Sequence, residues 1–131
     1  GSADKRRSVQ LALLHGKVLV LEAENCRDWN DFLKLTAEKL DKLGFHSFKV
    51  VTRVQGVENL EWMPSHARPW NVESAEWMKH VRLLRIGHEV VGEIRLCSYV
   101  EEDLFDHFDR MADVMGEAVE EAFRICHRKF N

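Results

Sequence analysis

The side chains best suited to chemistry are seven histidines and three cysteines. Zinc sites built from such residues show close ligand pairs, CxxC or HxxxH on one element, because the ligands must converge on one ion. No such pair occurs: His46, His66, His80, His88, His107 and His127 are scattered, and Cys26, Cys97 and Cys126 lie far apart. Cys126 and His127 are adjacent and would point to different faces of a helix. No metal and no cofactor is therefore expected. Nucleophilic catalysis has no better footing, since each cysteine sits in an apolar pattern and no GxSxG occurs. The carboxylate pairs Glu101/Glu102 and Glu120/Glu121 read as solvated helix faces, and no Gly-rich phosphate loop is present. No catalytic residue is expected, and the domain itself is read as non-enzymatic.

One stretch is unusual in composition. Trp62-Met63-Pro64-Ser65-His66-Ala67-Arg68-Pro69-Trp70, followed by Trp77, brings three of the four tryptophans together around the only two prolines. Aromatic rings with Arg and His near such a loop can wall a small-molecule pocket. The candidate ligand site is Trp62, His66, Arg68 and Trp70, between this loop and the open face of a sheet. The rings would bury a flat ligand, Arg68 would pair with an anionic group, and His66 would make affinity depend on pH near neutrality. The plainer alternative is a loop whose tryptophans cover one end of the sheet. Arg53, Arg68, Arg82 and Arg85 are a further possible anion cluster, although strand parity alone puts such charges in water.

These residues must be positioned by ordinary globular elements. A chain of 131 residues, 45% hydrophobic and 31% charged, is long enough for one core without disulfides. Its net charge of −3 carries no basic excess, so no nucleic-acid partner is expected. No run is long and apolar enough for direct membrane insertion. Three cysteines without pairing motifs suggest reduced thiols and a cytoplasmic setting, including the cytoplasmic part of a membrane protein. Gly1-Ser2 reads as the scar of a removed affinity tag, so residues 3–131 are expected to form a single domain cut from a longer protein.

Residues 4–25 read as a helix with Leu11, Leu14, Val18 and Leu21 on one stripe, widened by Leu13 and Val20. A hairpin turning at His15-Gly16-Lys17 is the alternative, because Val18-Leu19-Val20-Leu21 is partly β-branched. Asp28 is placed to cap a helix from Trp29 to Leu43, which Gly44 stops. Phe48, Val50, Thr52 and Val54 then alternate as a strand, and Gln55-Gly56 turns into a second, Glu58 to Met63. Between Val81 and Leu96 two strands meet at Gly87-His88-Glu89. Beyond Ser98 the apolar period lengthens: Leu104, Phe108, Met111, Met115, Val119, Ala122 and Cys126 define a last helix, flanked by Phe105, Ala112 and Phe123. The expected core is Trp29, Phe32, Leu40, Phe48, Val50, Val81, Leu83, Ile94, Leu96, Phe108, Met111 and Met115. The first stripe and the last helix carry more apolar surface than one sheet face needs, so a homodimer through residues 9–21 and 104–126 is expected.

The order of elements resembles the GAF domain family. The likeness runs from Trp29 to Val54, WNDFLKLTAEKLDKLGFHSFKVVTRV, with its helix ending in LGF before a strand. It resumes from Met78 to Phe123, where Gly92, Ile94 and Leu96 match a G-x-I/L-x-L strand before an acidic helix start. The resemblance implies an α+β fold: an antiparallel sheet of four or more strands, with the first and last helices packed together on one face. The middle is shorter than in ligand-binding members, and no cyclic-nucleotide signature or bilin-type cysteine is readable. The resemblance therefore implies a non-catalytic regulatory or dimerisation domain, like the cytoplasmic tails of sensor proteins and of some membrane sugar-phosphate transferases. A small-molecule sensor near the Trp62–Trp77 loop is the alternative.

Overall fold

The computed structural model describes residues 1–64 and 75–131. Three helices, α1 (Ser2–Ala23), α2 (Trp29–Lys42) and α3 (Phe105–Phe130), accompany four strands, β1 (Ser47–Thr52), β2 (Leu60–Trp62), β3 (Ala75–Ile86) and β4 (Glu89–Glu101). The strands form one antiparallel sheet in the order β2-β1-β4-β3. The α+β fold is as expected, with the first and last helices together. α2 and α3 lie on the sheet, and α1 packs mainly on α3.

The expected helix over residues 4–25 forms as α1, Ser2–Ala23, rather than as a hairpin. Its line Ala12, Gly16, Leu19 and Ala23 is the buried one, at i, i+4, i+7 and i+11. Small residues let α1 approach α3 closely: a Cβ on Gly16 would stand 3.0 Å from Ala118 Cβ. Lys129, near the end of α3, donates to the carbonyls of Glu24 and of Cys26 (2.8 Å), closing the end of α1.

The Asp28 side chain accepts from the Asp31 amide at 2.8 Å and caps α2. Asp28→Ala is expected to cost about 1 kcal/mol, read as a lower urea midpoint with unchanged m-value. Gly44 takes φ +88, which stops α2, and Gly87 takes φ +62 in the tight turn joining β3 to β4. The acidic run Glu102–Leu104 is a single 3-10 turn, so α3 starts later, at Phe105.

Phe32, Phe48 and Phe123 interlock at the centre, and half-buried Trp29 lies against Phe123 at 4.6 Å between ring centroids. Ten of the twelve expected core residues belong to this cluster or pack on it. Val81 and Leu83 do not; they are 43% and 45% exposed. The structure thus reverses the expected parity of β3. The helices cover one face of the sheet, and β3 turns Met78, His80, Arg82, Leu84 and Ile86 toward them, with Leu84 fully buried. Charges stand on both faces of β3, so alternation alone could not choose, and the polar residues turned inward are paired with α3.

Candidate functional site

The surface least accounted for by the fold is the outer side of α1. Leu11, Leu13, Leu14 and Leu21 are exposed, Leu21 by 70%. They project from a helix whose other side is already buried through Ala12, Gly16, Leu19 and Ala23. A helix apolar all round is a helix meant to be covered all round. Beside it runs a groove of about 490 Å³ between α1 and α3, lined by Leu13, Val20, Leu21, Val114 and Ala118. Lys17 stands on its α1 side, and Glu117 and Glu121 on its α3 side. Both chemical signs are therefore present on one apolar surface, as a self-complementary interface needs.

The expected ligand site is only partly within the described residues. His66, Arg68 and Trp70 lie outside them. Trp62 is half-buried and pairs with Phe48, while Leu60 pairs with Val50, so these residues share the helix-facing side of the sheet. Trp77 lies on the other face, edge-on to Tyr99 at 4.7 Å. Strand parity thus sends Trp62 and Trp77 to opposite faces of the sheet. Trp62 does border a cleft of about 450 Å³ beside α2, with Leu33, Ala37, Glu38, Asp41 and Pro64.

The three described arginines of the expected cluster do not gather. Arg53 pairs with Glu89 at 3.0 Å, Arg82 turns to α3, and Arg85 is exposed on the opposite parity. Arg68 lies outside the described residues.

Glu120, read from sequence as solvated, is buried. Its carboxylate accepts from Arg82 Nε at 3.0 Å and from the Arg85 amide at 2.7 Å, and pairs with Arg124 at 3.3 Å. Opposite it, Leu84 pairs with Gly92 but Arg85 with Val90, so Val91 is the extra residue of a bulge. Glu120 thus meets an amide beside the point where the ladder is interrupted. Gly116 leaves room for the arginine, since a Cβ there would come 3.3 Å from Arg82 Cδ. One signal was available in the sequence: Glu120 continues the line Ala112, Gly116, at steps of four, on the flank of the apolar stripe.

The three thiols are free and buried. Burial pushes Cys26 and Cys97 up, and burial with the neighbouring Cys26 pushes Cys126 to about 12. A thiol so held is protonated at neutral pH and is a poor nucleophile. Burial, with Lys5 and Arg110 nearby, pushes the His107 imidazole down. Among the described residues no three of His, Cys, Asp and Glu come together as a metal site, and no helix is long and apolar enough to cross a membrane.

No protein-family model and no solved structure matches the chain. Among curated proteins it is similar to Protein SHORT ROOT IN SALT MEDIUM 1 of Arabidopsis thaliana, 31% identical over 84 residues. That stretch is 63% of this chain and 6% of the relative's length.

Proposed function

We propose that this domain is a non-catalytic, GAF-like regulatory module that joins two copies of a larger protein. The observation that carries the reading is the doubly apolar α1. Its inner line of small residues docks on α3, while its outer leucines and the adjoining groove remain in water. Leaving several leucines exposed on one helix is costly, and a second copy removes that cost by burying them. Pairing of Lys17 with Glu117 or Glu121 across the two-fold axis would set the register. Leu14→Lys with Leu21→Lys tests this. Self-association is expected to weaken by a hundredfold or more, on the order of 3 kcal/mol, because two anchors become charges. The helical circular dichroism and the melting curve of the isolated protomer should be retained, since both positions are exposed.

A second reading, a small-ligand sensor, draws on the cleft beside Trp62. Titration with a panel of nucleotides and sugar nucleotides, read by tryptophan emission and repeated on Trp62→Phe, tests it. A saturable change that disappears in the variant supports it, and silence throughout the panel removes it.

A further inference from the structure

We propose that β3 is a docking edge that takes an extended acidic segment of a partner polypeptide as a fifth strand of the sheet. β3 stands last in the strand order and is twelve residues long. It pairs with β4 throughout, and among the described residues nothing pairs with its far side. Alternate N–H and C=O groups along such an edge point outward and form a template for another strand. Among the described residues the edge is closed only at its Arg85 end. At Arg85 the amide is taken by Glu120 and the carbonyl by Arg124 Nη1, at 3.2 Å. From Glu76 to Leu83 no side chain among the described residues occupies the backbone in this way.

The side chains along the free stretch favour a specific occupant. On the open face the row runs Trp77, Lys79, Val81, Leu83, and its three large apolar members are 41%, 43% and 45% exposed. Edge lysine, inward-turned charge and a bulge limit edge pairing, and Lys79, Arg82 and the bulge at Val91 do so here, so the exposed apolar row is open only to a segment that answers Lys79. An added strand would flank all three apolar side chains with its own. Lys79 stands between them and has no ion pair among the described residues. On that face Glu93 is held by Arg95 at 2.7 Å, so that pair is balanced without Lys79. On the helix side, His80 and Arg82 are already turned toward Asp109, Asp113 and Glu120. Selection therefore rests on the open face. The fitting segment has one acidic residue opposite Lys79, with aliphatic residues two positions to either side.

The test uses the whole chain and a capped peptide, Val-Thr-Glu-Thr-Val-Thr-Val, in both sequence directions, followed by amide NMR shifts. Shifts are expected at residues 76–84. The same peptide with Lys for Glu should bind about threefold more weakly. Lys79→Glu, an exposed change that leaves the melting curve in place, should reverse that preference. Val81→Thr with Leu83→Thr keeps strand propensity and should weaken binding about tenfold. Three results would overturn the proposal: no shift at millimolar peptide, shifts confined to the α1–α3 groove, or equal binding of both peptides. Loss of the 76–84 amide signals on concentrating the chain alone would also overturn it, by assigning the edge to a second copy.

Discussion

Gly92→Ala is expected to cost about 3 kcal/mol or more, the largest loss of any single methyl addition in the sheet. Gly92 pairs with Thr52 on one side and Leu84 on the other. A Cβ here would overlap the Val51 carbonyl oxygen and come within 2.8 Å of Thr52 Cα. Both obstacles are backbone, so no rotamer change relieves them. The closeness has a local cause. The Val91 carbonyl accepts from the Arg53 amide at 3.0 Å and from Thr52 Oγ1 at 2.9 Å, drawing β1 onto β4 beside the bulge. The variant should show a lower urea midpoint and lose amide protection in β1 first. An unchanged midpoint would mean that β1 and β4 do not approach in this way.

Removal of the Glu120 carboxylate is the second large effect. Glu120→Ala leaves Arg82, itself only 27% exposed, beside a cavity and leaves the Arg85 amide without its acceptor. Breaking a buried pair by deleting one partner costs about 3 kcal/mol, equivalent to a fall of about 10 °C in Tm. Glu120→Gln should fall between the variant and the parent, because the amide oxygen still accepts from Arg85. Replacing Arg82 and Glu120 together with Met and Leu should cost less than the sum of the separate changes. Additive losses in that cycle would contradict the pairing.

Much of the fold was legible in the sequence, and the misses share a cause. Asp28, Gly44 and Gly87 act through their own backbone, so their roles could be read locally. Ile94 and Leu96 were legible because β4 is central, with its helix-facing parity apolar and its other parity charged. β3 is an edge strand, and its helix-facing side carries His80 and Arg82. Those charges are satisfied only by Asp109, Asp113 and Glu120 on α3, about thirty residues or more away. No local rule finds such partners, so Val81 and Leu83 were placed inward and Glu120 outward. Similarly, the α1 leucines form a clear stripe, yet the line that docks is the one of small residues. Side-chain size hides which face of a helix is the close one. Of the expected ligand site only Trp62 lies among the described residues, and its side of the sheet follows from a pairing with Phe48 that spacing alone does not specify.

The central claim is that the outer face of α1 joins two copies. The most direct measurement is the mass of the unaltered chain in solution, by light scattering across a range of concentrations. The account predicts a particle of twice the 15.3 kDa chain, falling to 15.3 kDa when Leu14 and Leu21 become lysine. A 15.3 kDa particle at every concentration, or a dimer indifferent to those two changes, would contradict it.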